Sequence, residues 1–495
     1  MMIIIKKYKI YYALYSILIY TLIAIATISY LGDSSFFGIN NENTLMIING
    51  IFGWIVLIIH VITWKKISDT IINLSLMFFI FYVVFNFGQS LLYVFVQGTT
   101  SYRNLFLFAS NNEIIKAQLF TLLGMITFSL GTIIAYSNSP KLHENASETT
   151  SDVEIMLKAI GFVGGCLLLI SLPSFAYNVA STLKDVISGG YVAIYDYGTG
   201  EISRASFSGK LSSLLSSYFL PSIICLFVAK NKNNYLRYSL NVLFITDTLY
   251  LFYVGVRTSA ICVIIVFLIL HHRLVKPIKR KQIGLFIIVG YFFLGFVNVV
   301  GELRSEAGRS VLDYFIQMGE SSPNSINPMV MLVTELGWSM FPLIAVMKLI
   351  PGSYNYAYGT TYLWAFTSII PNIGLWDIHP AALYSDGPNW LMKVLNMPYG
   401  PGFSISAEAF RNFGWMGSGF LIFLGILFVK IYKYDNVFSA KHKPNIFAIM
   451  LIVFSTTLVT VRGDIMGFIR PTAFVAIPIY LLINLKYNSM LKAKN

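Results

Sequence analysis

Long apolar stretches recur along almost the whole chain and constrain its fold more than any other feature. The first covers about residues 10–30, and the last covers about residues 465–485. A helix of about 20 apolar residues is long enough to cross the hydrocarbon core of a bilayer. The composition agrees, because 12% of the residues are charged, whereas a soluble domain carries about 25%. The sequence therefore predicts an all-α polytopic membrane protein.

Twelve transmembrane helices are predicted, with both chain ends on the same side of the membrane. Their approximate bounds are 10–30, 45–63, 71–96, 114–136, 156–178, 211–229, 238–254, 259–271, 283–300, 415–433, 445–461 and 465–485. Segments 329–350 and 360–371 are also apolar, and as a pair of spans they would raise the number to 14. We expect them instead to form helices against the membrane or a re-entrant pair, because the first contains Glu335 and the second is short.

The spans divide the chain into three regions. Residues 1–300 hold the first nine spans, 301–403 form a large outer segment, and 404–495 hold the last three spans and a cytoplasmic tail. A connection as long as the outer segment is usually functional or disordered. Its four tryptophans argue against disorder. We therefore expect the outer segment to contribute to the chemistry.

The placement of the lysines orients the chain. Most of them fall on one side of the predicted spans, in short loops and in both tails, and the most basic stretch is HHRLVKPIKRK at 271–281. Cytoplasmic loops carry an excess of Lys and Arg, so the chain is predicted to lie in the cytoplasmic (inner) membrane with this side inside. Lysines that lie beside anionic lipids of the inner leaflet account for most of the net charge of +13. The expected partners are therefore membrane lipids and no nucleic acid.

The arginines follow a different pattern. Eight of them fall on the outer side or close to it, namely Arg103, Arg204, Arg257, Arg304, Arg309, Arg411, Arg462 and Arg470. The rule that explains the lysines disfavours such outward cations. Arginine offers a planar, always charged fork that binds phosphate in a bidentate way. The pattern therefore indicates an anionic ligand, a phosphate or diphosphate, at the outer face.

Five of these arginines are candidate diphosphate ligands. They are Arg257, Arg304, Arg309, Arg462 and Arg470. The first lies in a turn so short that it must be near membrane depth, where an unpaired arginine is costly. Structural roles remain as alternatives: Arg257 could reach the headgroups, Glu302 and Glu306 could pair with Arg304 and Arg309 on a solvated helix, and Arg462 could pair with Asp464.

Two charged residues stand where the outer segment meets the next span. Glu408 and Arg411 lie three residues apart, just after the Gly400–Gly402 turn. A structural salt bridge is one interpretation. Ionisable groups at a membrane mouth are costly to place and so indicate function by default. Both residues are therefore candidate catalytic residues.

His379 is a further catalytic candidate, because it is the only histidine predicted on the outer side and lies close to Asp377. A structural role is the alternative for this residue. Asp247 is an intramembrane carboxylate without an evident sequence partner, and a packing role is as plausible for it as a functional one. The chain contains no GxSxG, HExxH, P-loop or Asp-x-Asp signature, so no metal and no cofactor are expected.

Three local motifs and the topology resemble a known family. The motifs are GVRTS at 255–259, the Arg304–Arg309 region, and GFSISAEAFRNFGWMG at 402–417. Together they resemble the Wzy-type O-antigen or capsule repeat-unit polymerases. The resemblance implies a metal-independent membrane glycosyltransferase of the GT-C kind. Such an enzyme takes a growing glycan from undecaprenyl diphosphate and joins it to an incoming lipid-linked repeat unit at the outer face of the membrane. A chain-length regulator protein is a further candidate partner.

Elementary chemistry leads to the same kind of site. Fixed arginines would stabilise the charge that develops on a leaving diphosphate, and the attacking sugar hydroxyl needs a proton acceptor within hydrogen-bond reach. We expect Glu408 to be that acceptor, with Arg411 orienting it or binding phosphate, and His379 to be the alternative. The competing functions are an O-antigen ligase, a lipid-linked oligosaccharide flippase and an ion-coupled transporter.

Overall fold

The fold was analysed on a computed structural model. It describes residues 2–32, 41–68, 72–97, 104–137, 150–189, 207–254, 256–279, 281–282, 284, 328–372, 375–397 and 400–494. Every regular element within these ranges is a helix. The predicted all-α class is therefore confirmed for the described residues.

Nine α-helices lie in the described residues that precede residue 275. They are α1 (Met2–Gly32), α2 (Glu42–Ser68), α3 (Leu74–Tyr93), α4 (Asn111–Ser137), α5 (Thr150–Gly189), α6 (Phe207–Ser216), α7 (Phe219–Lys230), α8 (Asn234–Val254) and α9 (Arg257–Leu270). A single π-helical turn, His271–Val275, extends α9, and a short 3₁₀ helix, Leu105–Leu107, precedes α4.

Eleven α-helices lie in the part of the chain that the structure describes after residue 327. They are α10 (Pro328–Gly337), α11 (Phe341–Leu349), α12 (Thr360–Thr367), α13 (Pro380–Tyr384), α14 (Gly387–Val394), α15 (Ile405–Phe413), α16 (Gly417–Tyr432), α17 (Val437–His442), α18 (Pro444–Thr460), α19 (Met466–Pro471) and α20 (Ile477–Lys494). A π-helical turn, Thr472–Ala476, joins the last two.

Ten segments of the described chain are long and apolar enough to cross a membrane. They are 12–29, 42–68, 74–93, 111–136, 151–184, 211–230, 258–275, 329–349, 405–432 and 466–494. The protein is therefore a multi-span membrane protein. The predicted spans near 238–254 and 445–461 are the helices α8 and α18, which are not among these ten because α8 carries several polar residues and the apolar part of α18 is short. The span predicted at 283–300 lies outside the described residues except for residue 284, so the number of 12 stays a prediction.

Segment 329–349 packs at one end of the bundle. The Gln89 side chain, near the end of α3, donates to the Thr334 carbonyl at 2.7 Å. Lys348 forms an ion pair of 3.2 Å with Glu113, in the first turn of α4. Both contacts lie at the ends of α3 and α4 that were predicted to face outward. This segment is also long and apolar enough to be a span, so its placement against the membrane stays a prediction.

A buried ion pair holds the opposite end together. The Arg273 Nε donates to Asp435 Oδ1 at 2.9 Å, and both side chains are buried. The second Asp435 oxygen accepts the Leu74 N–H at 2.9 Å. This cluster joins the start of α3, the end of α9 and the end of α16. We call this end, which includes Lys65 and Lys66, the lysine-rich end.

Both termini of the described chain also lie at the lysine-rich end. Near the start of α1, the Lys66 ammonium lies 5.2 Å from the centre of the Tyr12 ring. Lys494, at the end of α20, acts electrostatically on Glu154 at the start of α5. If the bundle spans the membrane with the lysine-rich end on one side, both termini lie on that side, and the chain then crosses the membrane an even number of times. The helices α10 to α15 lie at the other end.

Candidate active site

The site is built around α15. Ser404 caps this helix, since its hydroxyl accepts the Ala407 N–H at 3.2 Å. The helix stops at Gly414, whose φ of +56° favours glycine. One turn into the helix lies Glu408, which is 1% exposed. The cap and the glycine therefore position a carboxylate inside the protein.

Hydrogen bonds from two distant segments hold the Glu408 carboxylate. The Thr361 hydroxyl, on α12, donates to its Oε1 at 3.3 Å. The Ile465 N–H, just before α19, donates to its Oε2 at 2.8 Å. Asn412 supports the arrangement by donating to the Thr361 hydroxyl at 2.7 Å. A buried carboxylate is tolerated only with such partners, so Glu408 joins three separate parts of the chain.

A second carboxylate, Asp464, lies beside the first. It is 4% exposed and accepts the Gly387 N–H at 2.9 Å and the Gly467 N–H at 3.3 Å. Burial raises the pKa of the Asp464 carboxyl from 3.8 to about 6, although the N–H group of Gly387 acts in the opposite direction. The negative charge of Glu408 adds to burial in raising the pKa of the nearby Tyr362 phenol.

Arg411 supplies the positive charge of the site. Its guanidinium stacks over the Trp390 ring at 4.0 Å from the centroid, an arrangement that favours the planar cation. Glu408 and Asp464 attract it electrostatically. Among the described residues, however, no carboxylate oxygen lies within the 4.0 Å of a salt bridge. The edge of the guanidinium is thus available to a ligand as far as the described chain is concerned.

Aromatic side chains surround these charges. Tyr354 packs edge-on against Trp390 at 5.8 Å, and Trp364 packs against Tyr384 at 5.0 Å. Tyr358 is largely exposed. Exposed aromatic faces next to charged groups are suited to packing against sugar rings.

His379 has a structural position. Its Nδ1 accepts the Ala381 N–H at 3.1 Å, which caps α13. Its Nε2 lies 2.9 Å from the Ile370 carbonyl, to which it can donate. Both ring nitrogens are therefore engaged with backbone groups, and neither contacts Glu408 or Asp464. The role of His379 as the alternative base stays a prediction.

The structure describes the five candidate diphosphate ligands to different extents. Arg304 and Arg309 lie outside the described residues, and for Arg257 only the backbone is described, as the first residue of α9. Arg462 lies in the same turn as Asp464, so it is close in sequence to the site. Arg470 is exposed at the end of α19.

Three site residues were not predicted from the sequence. Asp464 was noticed only as a partner for Arg462, while Thr361 and Trp390 had no local signal at all. No group of three or more His, Cys, Asp or Glu side chains in the described part of the chain is arranged to hold a metal ion.

Comparison with known families gives one match. The family model described as O-antigen polysaccharide polymerase Wzy matches residues 7–494, nearly the whole chain. No curated protein and no solved structure matches the chain.

Proposed function

Since this match covers nearly its whole length, the protein belongs to the O-antigen polysaccharide polymerase family Wzy, and we propose that the new glycosidic bond forms at Glu408 and Arg411. The family polymerises lipid-linked repeat units, so the predicted polymerase function is confirmed. The ligase, flippase and transporter alternatives are therefore set aside. The proposal further includes the catalytic residues, the identity of the lipid carrier and the side of the membrane that the site faces.

The reaction needs two kinds of group. A hydroxyl oxygen of the incoming repeat unit attacks the anomeric carbon of the growing glycan. The bond from that carbon to the diphosphate oxygen breaks, and its electron pair leaves with the diphosphate. The hydroxyl proton must pass to an acceptor. A cation and a carboxylate close together can therefore serve both halves of the step.

Arg411 is proposed to bind the leaving diphosphate of the undecaprenyl carrier. Its stack on Trp390 holds the guanidinium in one orientation, and a preorganised cation stabilises developing charge without first having to move. The outward arginines Arg257, Arg304, Arg309, Arg462 and Arg470 are proposed to bind the same diphosphate or that of the acceptor lipid. The position of the site, at the end of the bundle opposite the lysine-rich end, supports a site that faces outward.

Glu408 is proposed to accept the proton. The Thr361 hydroxyl already donates to its Oε1 over a long 3.3 Å bond, and this is the position that a sugar hydroxyl would take. Glu408 is buried here, so α12 must move slightly to admit the sugar. Such bonds often tighten only when substrate is bound. Asp464 is proposed to be a positioning residue, since its bond to Gly467 holds the turn that presents the Ile465 N–H to Glu408.

The first test measures polymer made by the purified protein from lipid-linked repeat units. We expect Glu408→Gln to lower turnover about 100-fold or more, because a general base contributes roughly 10²–10⁴-fold. Glu113→Gln is the matched control, since Glu113 is a carboxylate at the same end of the bundle that forms a surface ion pair. Thermal unfolding of each variant separates lost chemistry from lost structure. If Glu408→Gln turns over normally and His379→Ala does not, the base is His379 and the proposal is wrong.

The second test replaces Arg411 by Lys, which keeps the charge but removes the bidentate fork and the flat stack. Turnover should fall at least tenfold. Arg237→Lys, at the lysine-rich end, is the control. The same exchange at Arg257, Arg304 and Arg309 should also fail to restore full-length polymer. Normal polymer from Arg411→Lys would show that a point charge is sufficient.

A further inference from the structure

A further buried carboxylate, which has no role in the steps described so far, lies away from the Glu408 site. Asp247, on α8, is 5% exposed and faces a cavity of about 270 Å³. The cavity lies where α8 meets α5, α9, α18 and the junction of α6 and α7. No step proposed above uses this residue.

The side chains around the cavity combine hydrogen-bonding groups with aromatic rings. The polar ones include Asp247, Asn178, Ser259 and Ser455, and the aromatic ones include Phe175 and Tyr250. The Asn178 amide bonds only weakly to Ser212, at 3.4 and 3.5 Å.

The Asp247 carboxylate has no partner among the described residues. None of them donates a hydrogen bond or forms an ion pair with it. Burying a carboxyl group without a partner is costly. An ionisable side chain inside a membrane protein is a functional candidate by default. A carboxylate that faces a cavity can be compensated by a ligand that enters the cavity.

The chemistry of the residues that line the cavity indicates which kind of ligand can bind there. A phosphate would be repelled by the carboxylate, and no Lys or Arg is among the described lining residues. A hard cation such as Ca²⁺ needs six to eight oxygen ligands, whereas this lining is largely apolar and offers one carboxylate. A sugar ring fits both parts of the lining, since its hydroxyls can donate to a carboxylate and its C–H face can pack on an aromatic ring.

We propose that the Asp247 cavity binds one sugar ring of the lipid-linked glycan, with sugar hydroxyls bonded to Asp247 and Asn178 and the C–H face against Phe175 or Tyr250. The nature of the ligand rests on the proposed function, whereas the location of the site does not. The helix α18 connects the cavity to the Glu408 site, because Ser455 on α18 lines the cavity and the turn after α18 carries Asp464 and Ile465. Ser455 lies nine residues before Asp464, a stretch of chain that reaches at most about 32 Å. A glycan of several sugars can therefore occupy both.

The experiment measures binding of one probe to the purified full-length protein. The probe is the repeat-unit oligosaccharide freed from its lipid diphosphate by mild acid. We expect Asp247→Leu to weaken binding of the probe at least tenfold and to raise the KM for lipid-linked repeat units with a smaller effect on kcat. Asp247→Asn, which keeps the size of the side chain, should weaken binding as well. Thr246→Ala is the control, because Thr246 precedes Asp247 on α8 and is exposed.

The result separates the two proposals. Glu408→Gln should lose turnover but still bind the probe, whereas the Asp247 variants should lose binding of the probe. Unchanged binding in both Asp247→Leu and Asp247→Asn would overturn the sugar site and leave the role of Glu408 untouched. Normal turnover in Glu408→Gln would overturn the proposed catalytic role and leave the sugar site untouched.

Discussion

At the scale of single residues, the two carboxylates of the site differ in their partners. Glu408 receives a side-chain hydroxyl and a backbone N–H, whereas the bonds to Asp464 come from two backbone N–H groups. A backbone donor cannot be exchanged for substrate without moving the chain. This difference supports the proton-accepting role for Glu408 and the positioning role for Asp464.

Asp464 should make stability depend on pH. Burial raises its folded pKa from 3.8 to about 6, so the folded state binds the proton more tightly than the unfolded state. The stabilising contribution is complete below pH 3.8 and is lost as the pH rises through about 6. A difference of about two pKa units corresponds to about 3 kcal/mol. Asp464→Asn cannot ionise and should escape this loss.

The measurement is the thermal unfolding of both proteins in detergent at pH 4.5 and pH 7.5. At each pH the unfolding midpoint of the unmodified protein is subtracted from that of Asp464→Asn. This difference should be more positive at pH 7.5 than at pH 4.5. An equal difference at both pH values would mean that Asp464 does not titrate between them.

At the scale of elements, glycines set how closely α4 and α16 approach each other. A Cβ atom on Gly425 would overlap the Phe128 carbonyl oxygen, and one on Gly131 would overlap the Ile422 carbonyl oxygen. The contact is therefore reciprocal, with each glycine facing the backbone of the other helix. Small residues allow such close packing of membrane helices. The helix α16 continues from α15 past Gly414, so this contact also supports the site.

Gly425→Ala should separate the two helices and destabilise the protein by about 1–3 kcal/mol, the usual cost of overpacking. Gly419→Ala on the same helix is the matched control, because nothing lies within 4 Å of its Cβ position. That exchange should be neutral or slightly stabilising, since alanine favours helix. Thermal unfolding of both variants checks the expectation. Equal unfolding midpoints for the two variants would show that α4 can move away from α16 without loss of stability.

At the scale of the whole molecule, the charges are divided between two ends. The Arg273–Asp435 pair and the termini of the described chain lie at one end, which is the end where most lysines were predicted. The Glu408 site lies at the other. Under the proposed function, a lipid-linked substrate approaches from the membrane and its glycan grows at the end opposite the lysine-rich end.

This division predicts the orientation in the membrane. In spheroplasts, a cysteine introduced by Asp377→Cys should react with a membrane-impermeant maleimide. A cysteine introduced by Lys492→Cys should react only after permeabilisation, since lysine-rich ends face the cytoplasm. The native Cys225 and Cys262 are buried and should give little background, whereas the exposed Cys166 is first replaced by alanine. The reverse labelling pattern would invert the topology and place the site inside the cell.

The sequence by itself determined the properties that depend on neighbouring residues. Hydropathy is such a property, and it was sufficient to predict that the chain is an all-α membrane protein. Three contiguous motifs, one of them at 402–417, related the chain to the polymerases together with the topology. Glu408 and Arg411, which share one helix, became candidates because they lie at the predicted mouth of a span.

Only the tertiary structure decided which residues surround that pair. The partners of Glu408, Thr361 and Ile465, lie 47 and 57 residues away along the chain. Arg411 was expected to orient Glu408 or to bind phosphate, which stays a prediction, and the stack of its guanidinium on Trp390 was not foreseen. Such contacts bring together separate segments, and no local pattern encodes them. Packing decides them, because a buried carboxylate or guanidinium accepts whichever donor or ring the folded chain places beside it.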